Sequence, residues 1–311
     1  MSPIRRAGRA LLAALVLAFT AAAPAWAWLG AGHMTIGALA YDDLMRRDPA
    51  AVAAIVHVME SHPDRARFDR ALAGLPPGPA RDRRLFELMA RWPDEVRRTP
   101  YDHDDWHYSQ KAVSGMRWAL PVAFGKAEPE FRRQLAIARD AHAPAAERAV
   151  ALCWVFHIEG DMHEPLHAGF WMDARFPLTD QGGNTAWVKT APDAPPMKLH
   201  WFWDSAGRST GPGDGRGRES PAALEAEVAA AHPDPLDPPP ADPDAAFARW
   251  VRDTREIARR DVYENGAFTG GTTPAAAVVM SPAYVARAQA IGSQQLALAG
   301  WRLGALLAGV R

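Results

Sequence analysis

The chain has 311 residues with a formal net charge of −1 at pH 7, and 48% of its residues are hydrophobic, enough for a sizeable core. The balanced charge excludes a broad basic surface, so any contact with nucleic acid would need a compact local source of positive charge. Cys153 is the single cysteine, which excludes an internal disulfide. We expect a helical core or bound metal to stabilise the fold instead.

Residues 1–27 show the order of charged and apolar residues that is typical of a secretory signal peptide. Three arginines are followed by an apolar run and by the sequence Ala-Trp-Ala, which ends at Ala27. We expect cleavage between Ala27 and Trp28 and release to the periplasm or the medium. The apolar run is too short for a permanent membrane span, so no membrane anchor is expected. Residues 28–311 are predicted to form one domain.

Apolar residues at helical spacing predict α-helices through most of residues 28–311. In chain order the predicted helices are Thr35–Arg46, Ala50–Glu60, Arg81–Arg91, Phe131–His142, Ala145–Gly160, Asp244–Arg260 and Ser281–Val310. The third is expected to stop at Trp92-Pro93, because proline disrupts a helix interior. One short β-hairpin is predicted after Gly182-Gly183-Asn184, and residues 210–243 are predicted as a surface loop with a helical turn at Ala222–Ala231. The expected fold class is all-α.

Two histidine–aspartate pairs have the i, i+4 spacing that places both side chains on one face of a helix. They are His157 with Asp161, in FHIEGDMHEPLH, and His200 with Asp204, in LHWFWD. An ion pair on a helix surface explains either pair alone. The second pair lies among three aromatic residues, however, where charged groups need a compensating partner. Imidazole and carboxylate ligands without thiolates favour zinc.

A series of motifs in a defined order resembles the zinc-dependent S1/P1-type nucleases. The motifs span Trp28 to Asp204 and are WLGAGH, WPDEVR, WHY, FHIEGDMHEPLH, QGGN and LHWFWD. The C-terminal third resembles the family only in being helical. The resemblance implies a mainly α-helical fold, related to that of zinc phospholipase C, that holds three zinc ions per chain.

The resemblance also implies which residues would hold each zinc ion. The ligands of the first ion would be Asp94, His107, His157 and Asp161. Those of the second would be His167, His200 and Asp204. The third ion would be held by His33, by the bridging carboxylate of Asp161, and by the backbone amine and carbonyl of Trp28. Cleavage before Trp28 would free that amine for the metal.

The activity implied by the resemblance is that of an exported endonuclease and 3′-nucleotidase that leaves 5′-phosphate products. Metal would activate water and stabilise the leaving oxygen, with Asp94 and Asp161 as metal-holding catalytic residues. Arg97 would offset charge on the phosphoryl oxygens. The substrates would be single-stranded RNA and DNA and 3′-nucleotides, and the chain is expected to act as a monomer without a stable protein partner.

Three residues are expected to contact the substrate. Tyr108, directly after a ligand histidine, would stack on a base that is free of its own stack. Asn184 would direct its amide at the phosphate. Gln110 stands where the family commonly has an aspartate that reads the base, so the base preference is open.

Two other functions would use a similar set of ligands. Zinc phospholipase C resembles the family in fold, but its first histidine lies further from the N-terminal tryptophan, and its last ligand is typically glutamate where Asp204 stands here. A non-catalytic zinc-binding protein of the periplasm would use the same ligands. It would give no reason for Arg97, Tyr108 and Asn184 to lie near them.

Overall fold

The structure is a computed structural model that describes residues 28–114, 123–208, 221–234 and 238–311. Its α-helices are α1 (Gly30–Arg47), α2 (Pro49–Met59), α3 (Arg65–Ala71), α4 (Pro79–Glu95), α5 (Ala127–Arg139), α6 (Ala145–Asp161), α7 (Pro165–Ala168), α8 (Leu199–Asp204), α9 (Pro221–Ala231), α10 (Pro243–Ile257) and α11 (Pro282–Leu307). Its strands are β1 (Gln110–Ala112), β2 (Ala123–Phe124), β3 (Gly169–Phe170), β4 (Trp187–Lys189), β5 (Met197–Lys198) and β6 (Val278–Val279). The predicted signal peptide and residues 209–220 and 235–237 of the predicted loop lie outside the described residues.

Helix α6 lies at the centre of the fold, because its apolar residues cover its whole circumference. A helix of this kind must be covered on every side. Helices α1, α2, α4, α5 and α11 all contact α6, and α1 also packs along both α4 and α11. The rings of Phe156 in α6 and Phe86 in α4 meet edge to face with centroids 5.2 Å apart. Ligand-type residues on α6 are therefore surrounded by other helices.

Three of the helices predicted from the sequence, α2, α10 and α11, begin at a proline that follows a capping side chain. Asp48, Asp242 and Ser281 each accept a hydrogen bond from a backbone N–H in the first turn of α2, α10 and α11. Proline suits the first helical position because its missing N–H would have no partner in the helix. The starts predicted from the sequence for these helices lie within one residue of those observed.

Helix α4 continues through Pro93 and ends at Glu95, so the prediction that it stops at Trp92-Pro93 is wrong. The proline lies in the last turn, where only one hydrogen bond is lost. Packing of the helix against α1 and α6 stabilises this turn. The extension matters because it places Asp94 on the helix, facing α6.

Helix α1 begins at Gly30, five residues before its predicted start at Thr35. The sequence GAGH carries no apolar periodicity, so its helical turn depends on packing against the rest of the molecule. Gly37 shows how close that packing is, since a Cβ atom there would lie 2.4 Å from the carbonyl oxygen of Phe86 in α4. As a result, His33 lies in the first turn of a helix that is fixed against α4.

Two small three-stranded sheets accompany the helices, with the strand orders β2-β1-β3 and β5-β4-β6. The predicted hairpin is present, because β4 and β5 are antiparallel with Trp187 opposite Lys198. The other strands have two or three residues and are too short to show an alternating pattern in the sequence. Strands β1 and β3 are parallel, with Lys111 opposite Gly169. This pairing brings the segment after His107 beside the segment after His167.

The prediction of a mainly α-helical fold is confirmed. The predicted helical turn at Ala222–Ala231 is confirmed as part of α9. Over the residues that the structure describes, none of the helices combines the length and the apolar character needed to cross a membrane.

Candidate metal centre

The structure buries every residue that the sequence predicts as a metal ligand, and it gathers all the predicted side-chain ligands into three adjoining groups. The groups are His33, His157 and Asp161; Asp94, His107 and His157; and Glu164, His167, His200 and Asp204. Within each group, one ligand-type atom per residue lies within 4.8 Å of those of the other members. Five helices, the segment before β1 and the link between α6 and α7 supply these side chains, so the site depends on packing between many segments.

The carboxylate of Asp161 lies between the first two groups. Its Oδ1 is 3.2 Å from Nε2 of His33. Its Oδ2 is 3.2 Å from Nδ1 of His107 and 3.3 Å from Nε2 of His157. Each oxygen therefore faces a different set of histidines, the arrangement that a carboxylate bridging two metal ions requires. Asp94 completes the second group, with Oδ1 3.7 Å from Nε2 of His157.

The third group lies where α7 and α8 meet. Nε2 of His200 is 3.5 Å from Oδ2 of Asp204, one helical turn further along α8. Nε2 of His167 in α7 is 3.9 Å from Oδ1 of the same aspartate. The predicted second set of ligands is thus brought together by two short helices.

Backbone carbonyls orient three of the histidine rings. Nδ1 of His157 donates to the carbonyl of Ala90 (2.8 Å), and Nδ1 of His200 donates to that of Gly182 (2.6 Å). Nδ1 of His167 donates to the carbonyl of His107 (2.5 Å). A carbonyl can only accept, so each ring carries its proton on Nδ1 and directs the lone pair of Nε2 into the site. Such contacts fix the tautomer that a metal ligand needs.

The N-terminal segment is tied to two helices that carry ligands. The indole Nε1 of Trp28 donates to the carbonyl of Gly160 in α6 (2.9 Å). The backbone N–H of Leu29 donates to the carbonyl of Asp204 in α8 (2.9 Å). A Cβ atom on Gly160 would lie 3.0 Å from Nδ1 of His33, so glycine permits this close approach. Ligation by the backbone of Trp28 stays a prediction.

Burial sets the protonation of these groups in the protein without metal. It raises the pKa of Asp94 to about 7, and burial followed by the charge of Asp94 raises that of Asp161 well above its usual range. Burial also lowers the pKa of His33. Both carboxyls are therefore stabilised in their neutral forms until a cation compensates their charge.

The donor set fits a divalent cation. Among the described residues, neither oxygen of Asp161 and neither ring nitrogen of His33 has a hydrogen-bond partner, although all four atoms are buried. Buried polar atoms without a partner are rare and call for an explanation such as a bound ion. Imidazole and carboxylate donors without thiolates match the ligands of catalytic zinc sites.

Arg97 lies at the edge of the site and is held by two carboxylates. Its guanidinium donates to Oδ1 of Asp104 (2.6 Å) and to Oδ1 of Asp94 (3.3 Å). Asp94 is a predicted ligand, so the arginine is held beside the candidate metal site by a side chain that belongs to it. Its side chain is 16% exposed, which leaves it partly accessible from the solvent.

The predicted substrate residues differ in how accessible they are. Tyr108 is half-buried, and burial followed by the charges of Asp104 and Asp105 raises its pKa to about 12. Gln110 is buried, and its Nε2 donates to the carbonyl of Leu166 (2.6 Å). The Nδ2 of Asn184 donates to the carbonyl of Gln181 (3.2 Å). One amide N–H donor of each residue is therefore engaged within the protein, and their contact with substrate stays a prediction.

Sequence reasoning missed Glu164 as a member of the site. It is fully buried and belongs to the group with His167, His200 and Asp204. Its position before Pro165 is that of a helix cap, but its approach to His200 and Asp204 depends on packing between separate helices and has no signal in the sequence.

Comparison with known proteins identifies a protein family that matches the chain. A family model described as S1/P1 Nuclease matches residues 28–310. The matched range covers nearly the whole chain and includes every residue of the three groups. No curated protein shows a significant match to the chain.

Proposed function

The chain belongs to the S1/P1 nuclease family, and we propose that it hydrolyses phosphodiester bonds of single-stranded RNA and DNA at a centre of three zinc ions. The observation that carries the proposal is the carboxylate of Asp161, whose two oxygens face His33 on one side and His107 with His157 on the other. A simple ion pair between His157 and Asp161 on a helix surface would explain only one of these contacts. Three ions also provide the compact positive charge that the net charge of −1 does not.

The proposed ligands of the three ions come from the three groups of side chains and from the backbone of Trp28. Asp94, His107, His157 and Asp161 would hold the first ion. The second ion would be held by His167, His200 and Asp204, and the third by His33, Asp161 and the backbone of Trp28. When bound, zinc supplies a Lewis acid that makes water a better nucleophile and stabilises charge on phosphoryl and leaving oxygens.

The protein's own residues position the substrate around this centre. Arg97, anchored by Asp94 and Asp104, would donate hydrogen bonds to a phosphoryl oxygen as its charge increases in the transition state. The guanidinium is fixed before substrate arrives, so little reorganisation is needed. The expected products carry a 5′-phosphate, and 3′-nucleotides would be substrates as well.

Tyr108 would stack on a base, so we expect single strands to be cleaved much faster than duplex. A base can stack on an aromatic ring only when it has left its own stack, at a gain of about 1–3 kcal/mol per base. Tyr108→Ala should therefore raise KM for short oligonucleotides roughly tenfold and leave zinc content unchanged. Tyr108→Phe, which keeps the ring, serves as the control. Equal rates on duplex and single strands would contradict this picture of the base site.

The α-amine of Trp28 is proposed as a ligand that only the cleaved chain offers. We propose that residues 1–27 direct export to the periplasm or the medium and are then removed. Within a peptide bond the nitrogen lone pair is delocalised into the carbonyl and does not bind metal. A chain with one extra residue before Trp28 should therefore bind about two zinc ions instead of about three. Equal zinc content in the two preparations, measured by mass spectrometry of the native proteins, would refute ligation by the amine.

A panel of substrates tests the proposed function. The zinc-loaded protein that begins at Trp28 is incubated with single-stranded DNA, with RNA and with phosphatidylcholine vesicles. We expect rapid hydrolysis of both nucleic acids to products with 5′-phosphates and none of the lipid. Lipid hydrolysis alone would identify a phospholipase, and zinc binding without any hydrolysis would identify a zinc-binding protein.

A further inference from the structure

Glu164 lies between α6 and α7, and only one of its carboxylate oxygens accepts a hydrogen bond from the residues that the structure describes. Its Oε2 accepts a hydrogen bond from the backbone N–H of His167 (2.7 Å) and so caps the start of α7. Its Oε1 is buried and has no hydrogen-bond partner among the described residues. The cap fixes the side chain next to the group formed by His167, His200 and Asp204.

The surroundings of this carboxylate are those of a ligand position. An oxygen of Glu164 lies within 4.8 Å of a ring nitrogen of His167, a ring nitrogen of His200 and an oxygen of Asp204. All four side chains are at most 2% exposed. Two ionised carboxylates this close in a buried site repel each other unless a cation lies between them, so a bound cation would stabilise both Glu164 and Asp204 in their charged forms.

We propose that Glu164 is a fourth protein ligand of the zinc ion held by His167, His200 and Asp204. This inference rests on the proposed function, since it concerns the second ion of that centre. Three zinc ions would carry a total of about six positive charges. In this buried site Asp94, Asp161 and Asp204 supply only three negative charges to compensate them. Glu164 adds a fourth negative charge next to the ion that shares no carboxylate with the other two.

The fourth ligand would change what this ion does. Four protein ligands are typical of zinc sites that retain the metal firmly, whereas catalytic sites with three protein ligands keep an open position. The ion would therefore be retained at low external zinc concentrations and would have to expand its coordination to accept the leaving oxygen. Glu164 is thus expected to favour retention of zinc over maximal turnover.

Glu164→Gln separates the ligand role from the cap. The amide oxygen of glutamine can still accept the N–H of His167, so α7 keeps its cap, but the negative charge and the carboxylate ligand are lost. We expect the dissociation constant of one zinc ion to rise by about 10- to 100-fold. The constants are measured by competition with a chromophoric chelator on the protein that begins at Trp28. Replacement of zinc by cobalt should give an altered visible spectrum in the variant, which reports the change in ligands.

Two further variants make the outcome decisive. Glu159→Gln changes a buried carboxyl on the face of α6 that points away from the metal site. This variant should leave the dissociation constants of all zinc ions unchanged. Glu164→Ala removes both the helix cap and the negative charge. Its zinc dissociation constant should rise at least as much as that of Glu164→Gln. The proposal would be overturned if Glu164→Gln has the same zinc dissociation constants and the same cobalt spectrum as the unmodified protein. This holds even if Glu164→Ala binds zinc more weakly. In that case hydrolysis of single-stranded DNA by the unmodified protein would still support the proposed function, whereas its absence would reject that function independently.

Discussion

Asp161→Asn is expected to abolish nearly all phosphodiesterase activity and to lower the zinc content by at least one ion. The carboxylate faces two sets of histidines, so one substitution weakens two metal positions together. Zinc contributes several kcal/mol of transition-state stabilisation, so we expect a loss of activity on the order of 10³-fold or more. The measurement is kcat/KM on single-stranded DNA, with zinc per chain determined on the same sample.

Glu159→Gln is the matched control for this prediction. Glu159 is equally buried and lies two residues away on α6, but it belongs to none of the three groups. Burial raises the pKa of Glu159 to about 8, so the neutral amide resembles its form at pH 7. We expect the control to retain both activity and zinc. Near-normal turnover with full zinc content in Asp161→Asn would remove the basis of the proposed centre.

Arg97→Ala should lose activity but keep its zinc, whereas Asp161→Asn is expected to lose both. The guanidinium contacts Asp94 and Asp104 but is not itself a metal ligand, so zinc and fold should be retained. Loss of one hydrogen-bond donor to the transition state is expected to lower kcat on the order of 10²-fold. Zinc per chain, thermal stability and single-turnover rates on a dinucleotide measure the three properties separately.

Two control variants test whether the loss of activity in Arg97→Ala comes from the missing hydrogen-bond donors. Arg97→Lys keeps the charge but not the planar pair of donors, so it should recover only part of the rate. Arg98→Ala removes an exposed neighbouring charge and should have little effect. If Arg97→Ala loses zinc in parallel with activity, the arginine serves to hold Asp94 and its proposed role in the transition state is wrong.

The parts of the fold that could be predicted from the sequence are those with local causes. Proline after an acidic residue or serine marks the starts of α2, α10 and α11, and the observed caps confirm the reason. The i, i+4 spacing of His157 and Asp161 placed both on one helical face, and their side chains do meet (3.3 Å). Each of these signals lies within a few residues of chain.

The parts that could not be predicted depend on packing between distant segments. Helix α4 passes through Pro93 because α1 and α6 cover it. The first turn of α1 has no apolar periodicity of its own and forms where glycines allow close contact. Most strands are too short to leave a pattern. In the site, the sequence could not show that the amide of Gln110 is used by the carbonyl of Leu166, 56 residues away.

Glu164 illustrates the same limit for the site. Its place before Pro165 is that of a helix N-cap, and the structure shows this cap. One of its carboxylate oxygens comes close to His200 and Asp204 only because α8 packs beside α7. Such a contact between separate helices leaves no signal in the spacing of residues along the chain.

The central claim is that a buried centre of three zinc ions performs the hydrolysis. The most direct measurement removes all metal from the chain that begins at Trp28 and returns zinc in steps, with bound zinc and hydrolysis of single-stranded DNA followed together. We predict that activity disappears with the metal, returns with zinc and reaches its maximum at about three ions per chain. Hydrolysis that persists without metal, or that is complete with a single bound ion, would contradict the claim.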